Sequence, residues 1–136
     1  MPEGGCMCGN VRYNIIGESE ANILCHCLDC RKIGGSTYSS NSLYSANGFK
    51  VTKGTPKQYK KVADGGNDIV SNFCGDCGST MWREGDTFKG KLVVKVGTLD
   101  DTSVLDNLNP QVELYTPARP KWVAAIDGAA QKNGMS

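Results

Sequence analysis

No apolar run in the sequence approaches the roughly 20 residues that cross a bilayer, which argues against a membrane protein. The first residues, Met1-Pro2-Glu3-Gly4-Gly5-Cys6, have neither the basic start nor the apolar stretch of a secretory signal, so a reducing, cytoplasmic setting is expected. Charge of one sign is equally scarce. With 15 basic against 14 acidic residues the net charge is +1, too little for the field that attracts phosphates, and a nucleic-acid partner is not expected. Helix signals are few: Cys27 to Ile33 has room for one or two turns before Gly34-Gly35, and Asp101 to Leu108 for another short piece ahead of Pro110. There is no internal repeat, low-complexity tract or linker, and a chain of 136 residues suits one core better than two.

What the sequence does have is glycine, strand-like runs and cysteine. The 17 glycines are scattered between short apolar segments, as turns between strands require. Val11, Tyr13 and Ile15 alternate with Arg12, Asn14 and Ile16, a period of two that lays one side on a core. Further strands are expected at Ala21 to Leu24, Tyr38 to Tyr44, Phe49 to Thr52, Lys57 to Val62, Asp68 to Phe73, Ser79 to Arg83, Leu92 to Gly97 and Val112 to Tyr115. The expected architecture is mainly β, a sandwich or folded-over sheet with little helix. One domain is expected over residues 1–128, with a loose tail from Ala129 to Ser136.

The seven cysteines fall into three groups: Cys6 and Cys8; Cys25, Cys27 and Cys30; and Cys74 and Cys77. An odd count, the lack of a signal peptide and pairs one residue apart oppose a disulfide framework and favour thiolate ligation of zinc. Structural zinc takes four such ligands, and catalytic zinc takes three plus an exchangeable one. Cys8-Gly9 and Cys77-Gly78 share a turn grammar, so Cys6, Cys8, Cys74 and Cys77 are expected to form a structural zinc site that staples the fold. Cys25, Cys27 and Cys30 would then hold a second, open zinc. A fourth ligand from His26, a carboxylate from elsewhere, or a metal-free trio are the competing outcomes, although alternation in an extended segment points His26 away from its neighbours.

These groups resemble the glutathione-dependent formaldehyde-activating enzyme family, also called the CENP-V/GFA domain, whose fold is a zinc-stapled β-tent. The resemblance rests on G-x-C-x-C-G-x-V-x-Y at Gly4 to Tyr13, C-H-C-x-x-C-R-K at Cys25 to Lys32 and F-C-G-x-C-G-S at Phe73 to Ser79. Trp82, Val96 to Asp101, Arg119 and Trp122 support it. It implies two zinc ions per chain, structural on Cys6, Cys8, Cys74 and Cys77 and catalytic on Cys25, Cys27 and Cys30. It also implies carbon–sulfur lyase chemistry on thiol adducts of aldehydes, with glutathione as co-substrate.

Around the open site, His26 and Asp29 are the candidate general acid or base, because local sequence keeps them near the ligands. Arg31 and Lys32 are placed to offset the charge of three thiolates, against a plainer reading as solvated charges. Gly34 to Ser42 is a candidate substrate wall or an ordinary polar strand, and the role of Glu113 stays open. Trp82 and Trp122 are candidates for a pocket lining or for the core. The expected partner is a small molecule. Two alternatives compete: a zinc-dependent lyase, hydratase or decarboxylase that acts on a specialised metabolite without glutathione, and a non-catalytic zinc module that binds protein. The carboxylates of glutathione need cations, and Arg31, Lys32, Arg83 and Arg119 are the obvious ones.

Overall fold

The computed structural model describes residues 2–63 and 65–135. Among them the chain forms β1 (Glu3–Gly5), β2 (Arg12–Ile15), β3 (Ala21–Cys25), α1 (Leu28–Gly34), β4 (Ser39–Ser45), β5 (Phe49–Lys53) and β6 (Lys57–Val62). It continues through β7 (Asp68–Phe73), β8 (Thr80–Gly85), β9 (Lys91–Lys95), α2 (Thr102–Asp106), β10 (Val112–Leu114) and β11 (Ala130–Gln131). β1, β2 and β5 make a three-stranded sheet. The other eight strands make a second sheet in the order β11-β10-β3-β4-β9-β8-β7-β6. The chain is therefore mainly β, and with its two cysteine clusters it is consistent with a β-tent fold.

The core lies where the small sheet packs on the large one. Alternation along β2 buries Tyr13 and Ile15 against Tyr44, Met81, Trp82, Leu92 and Val94. Tyr13 stacks on Phe49 at 5.0 Å between ring centroids, and Trp82 meets Phe49 at 4.6 Å and the edge of Tyr13 at 6.1 Å. The same alternation that sends Leu92 and Val94 of β9 into this core turns Val93 and Lys95 to the opposite face, where both line a cavity. A smaller apolar cluster of Ile23, Cys25, Cys30 and Leu114 forms around β3 and β10, which run parallel with Leu114 opposite Cys25. β6, exposed along its whole length, ends the large sheet with Lys57, Lys60 and Lys61, charges that discourage pairing with another chain.

Three features differ from the sequence expectations. β9 stops at Lys95, and Val96–Thr98 is a 3-10 turn that brings Leu99 back to bridge Gly4. β1 was not expected, because Glu3-Gly4-Gly5 has no periodicity; backbone pairing with β2 defines it. The tail is not loose from Ala129. Ala129 is buried, β11 pairs in parallel with β10, and the Lys132 N–H donates to the Glu113 carbonyl at 2.9 Å. Main-chain bonds hold this segment, and they leave no hydrophobic pattern to read. No helix among the described residues is long and apolar enough to cross a membrane.

Candidate metal centres and active site

Two similar turns carry the first cysteine cluster. Cys6 and Cys8 precede β2, and Cys74 and Cys77 lie between β7 and β8. Gly9 (φ 80°) and Gly78 (φ 81°) follow the second cysteine of each pair in the left-handed region, and their N–H groups return to the carbonyls of Cys6 at 3.1 Å and Cys74 at 2.9 Å. Each turn also points an amide at sulfur, Val11 N–H at Cys6 Sγ (3.2 Å) and Asp76 N–H at Cys74 Sγ (3.4 Å). The Met7 N–H donates to Ser79 Oγ at 3.0 Å, and Asn10 Nδ2 to Asp76 Oδ2 at 2.8 Å, so the turns are tied across the gap. The four sulfurs lie within 4.8 Å of one another, with Cys6–Cys8 at 3.6 Å and Cys8–Cys74 at 3.7 Å. Tetrahedral Zn–S bonds of about 2.3 Å place sulfurs about 3.8 Å apart, so the set fits zinc. Ser79 holds the Cys77 thiol down at about 5, which favours the thiolate a metal needs.

The second cluster is local. Cys25 ends β3, Cys27 caps α1 by accepting the Cys30 N–H at 3.3 Å, and Cys30 is buried within the helix. Their sulfurs also lie within 4.8 Å of one another, and among the described residues no His, Asp or Glu joins the set. Cys27 and Cys30 push the Cys25 thiol up, whereas bonds from Cys25 and Cys27, aided by the charge of Lys95, pull Cys30 down. Three thiols this close ionise together only around a cation, and the donor set suits zinc.

The cluster faces a cavity of about 600 Å³. Its walls are apolar at Ile23, Val62, Ile69, Val93 and Leu114, and charged at Asp29, Lys61, Arg83, Glu84 and Lys95. Asp29 is held by Lys61 and lies 4.0 Å from Arg83 Nη2, and Arg83 Nε donates to Ser71 Oγ at 3.0 Å. Lys95 Nζ donates to Asn41 Oδ1 at 2.8 Å. Tyr115, also on the wall, is the one non-glycine residue among those described with positive φ (55°), a conformation that costs an L-residue about 1–2 kcal/mol.

Of the expected acid–base residues only Asp29 reaches this cavity, and of the four expected cations only Arg83 does. His26 is fully buried, with its ring 5.3 Å from that of Tyr38 and Nε2 2.7 Å from Glu113 Oε1, so it turns away from the sulfurs between which it lies in sequence. Arg31 and Lys32 sit on the exposed side of α1, outside the cavity lining. From the expected wall at Gly34 to Ser42, Asn41 alone contributes. Trp82 belongs to the core, and Trp122 is 79% exposed. Glu113 gathers more partners than its sequence position suggested: the Ile126 N–H and Gln131 Nε2, each at 2.8 Å, and Arg119 Nη2 at 3.4 Å, besides His26. Lys95 was missed. Its signal was a lysine in the apolar run Leu92-Val93-Val94-Lys95-Val96.

The family model for the glutathione-dependent formaldehyde-activating enzyme matches residues 1–118. The chain belongs to that family. The glutathione-dependent formaldehyde-activating enzymes are an enzyme family, and in this member the two cysteine clusters can hold two zinc ions. A crystal structure of a Rhodobacter sphaeroides protein superposes with a TM-score of 0.63 at 19% identity, over 79% of this chain and 96% of that one, which is a likeness of fold. No curated protein matches significantly.

Proposed function

We propose that the chain is a zinc-dependent lyase that makes and breaks the carbon–sulfur bond of thiol adducts of aldehydes, with glutathione as the thiol. The observation that carries this reading is a three-thiol set with no fourth donor among the described residues, opening on a cavity wide enough for a small substrate. Zinc on Cys25, Cys27 and Cys30 would supply Lewis acidity toward a substrate sulfur or oxygen. Cys6, Cys8, Cys74 and Cys77 form the structural site, which joins residues far apart in sequence and lies outside the cavity lining.

In the synthetic direction the S–H bond of the thiol and the π bond of the aldehyde are exchanged for S–C and O–H bonds, and the lyase direction reverses this. Lys61 and Arg83 offer cations to the carboxylates of the thiol, while apolar neighbours such as Ile69 and Val93 exclude water. Of the two carboxylates on the wall, Asp29 lies on the helix that carries Cys30 and is the candidate proton acceptor, whereas Glu84 accepts from the Trp82 indole N–H at 3.1 Å. His26, sealed against Glu113, supports the Cys25–Cys27 segment and takes no proton from substrate. One observation favours a second reading without glutathione: Lys61 and Arg83 already share Asp29, so a neutral substrate would leave that arrangement undisturbed.

Zinc-loaded protein is mixed with formaldehyde and either glutathione or a small neutral thiol, and adduct formation is followed by NMR. Faster turnover with glutathione is expected, and Cys27→Ser should keep its fold, lose one of two zinc ions and lose turnover. Undiminished activity in Cys27→Ser rules out the metal assignment. Equal rates with both thiols favour the reading without glutathione, and two zinc ions with no turnover of any adduct favour a non-catalytic module.

A further inference from the structure

The sequence places a lysine within a hydrophobic run, at the last residue of β9, and the register of the sheet explains what holds it there. Lys95 lies opposite Asn41 across the β4–β9 pair. Asn41 is buried, and its amide nitrogen is committed to the Ile23 carbonyl at 3.1 Å, the Ser39 carbonyl at 3.3 Å and Ser39 Oγ at 2.9 Å. Its oxygen is thereby fixed toward Lys95 Nζ at 2.8 Å. An ammonium has three N–H donors, and this bond uses one. The lysine lines the cavity together with Cys25, Cys27 and Cys30; burial lowers its pKa, and the charges of the three thiols oppose that shift. Arg83, on the same wall, is engaged by Asp29 at 4.0 Å and by Ser71 Oγ at 3.0 Å.

We infer that Lys95, oriented by Asn41, is a catalytic residue whose ammonium hydrogen-bonds the oxygen on which negative charge develops when sulfur adds to the aldehyde carbon. This rests on the proposed reaction. As the S–C bond forms, the electrons of the C=O π bond move to oxygen, and a fixed cation on the partly apolar wall of the cavity stabilises that oxygen more than it would in bulk. Lys95 keeps its own protons throughout; the proton that leaves the thiol ends on the new hydroxyl. A single-bond anchor on Asn41 limits the reorganisation of the ammonium and leaves donors for substrate. No residue expected from the neighbourhood of the cysteines fills this role, because His26 and Arg31 face elsewhere.

The test compares Lys95→Met and Lys95→Arg with the parent protein, all zinc-loaded. Loss of one such donor lowers kcat by about 100-fold or more, and because the charge develops only in the transition state KM should change less than about 3-fold. Lys95→Arg should recover at least about a tenth of the parent kcat, since it restores a cationic donor. Both variants should retain two zinc ions and the parent unfolding midpoint. A Lys95→Met protein with kcat within about 3-fold of the parent overturns the inference, as does one that has lost zinc, which would make Lys95 a charge partner of the thiolates only. Formate, a stable anionic oxygen, provides a readout without turnover: calorimetry should show at least about 10-fold weaker binding to Lys95→Met, and equal binding overturns the inference. If the parent protein fails to turn over glutathione and formaldehyde, the reading of the reaction falls, and formate binding alone decides Lys95.

Discussion

Exchange of Glu113 for glutamine keeps the shape of the side chain and removes its charge at the point where His26, Ile126, Gln131 and Arg119 converge. Burial pushes the carboxyl up, and bonds from Gln131, the Ile126 N–H and His26, with the charge of Arg119, more than reverse this and hold it at about 2 against an ordinary 4.5. A carboxyl whose pKa falls on folding adds stability above its unfolded value, here about 3 kcal/mol at neutral pH. That increment is complete above roughly pH 4.5 and disappears as the pH falls through about 2. Glu113→Gln should therefore unfold about 3 kcal/mol more easily than the parent at pH 7, or about 10 °C lower for a chain of this size. The gap should close as both proteins are taken below pH 4.5. Urea unfolding followed by tryptophan fluorescence, in steps from pH 7 to pH 3, measures it. Zinc release in acid affects both proteins and largely drops out of the difference. A gap under about 1 kcal/mol at pH 7, or one equally wide at pH 7 and pH 3, would refute the reasoning.

Cys74→Ser, at a fully buried ligand, should lose one zinc ion and its cooperative melt together; a wild-type melt by circular dichroism would show that the four-thiol set is not the staple. Tyr115→Ile and Tyr115→Asn both remove the ring, but isoleucine resists φ of 55° and asparagine tolerates it, so the isoleucine variant should be about 1 kcal/mol the less stable in chemical denaturation. Identical stabilities would mean the backbone relaxes. Gly78→Ala, at φ 81°, should cost about 1–2 kcal/mol, while Gly97→Ala, with open space around its Cβ position, should cost far less; equal losses would contradict the turn geometry.

Much of this arrangement is legible in the sequence because its chemistry is local. The Cys-Gly endings of both knuckles foretell sharp turns, and both appear, with Gly9 and Gly78 in the left-handed region. Alternation between Cys25 and Cys27 foretells that His26 turns away from them, and it does. The β7 boundaries, Asp68–Phe73, match their expectation. Misreadings arise where register or main-chain bonding decides. Lys95 joins the site because it lies opposite Asn41, and no local pattern in either strand announces that pairing. Glu113 acquires its partners from residues up to Gln131, in a segment whose strand is two exposed residues long. Arg31 and Lys32 follow Cys30 in sequence, but the helical turn that buries Cys30 carries them to the outside.

The two ligand sets also differ in how much chain lies between their members, and this orders the events by which the protein acquires metal. Cys25, Cys27 and Cys30 fall within six consecutive residues, so a growing polypeptide presents that trio before the eight-stranded sheet exists. Cys8 and Cys74 are separated by 66 positions, and closing so long a loop costs roughly 4 kcal/mol more entropy than leaving it free. Zinc capture there would await the turn after β7 and would then tie it to the start of the chain, so occupancy of the distant set would mark closure of a long loop while occupancy of the local one would not. Under limiting zinc, the chelator-sensitive step of refolding should therefore belong to Cys6, Cys8, Cys74 and Cys77.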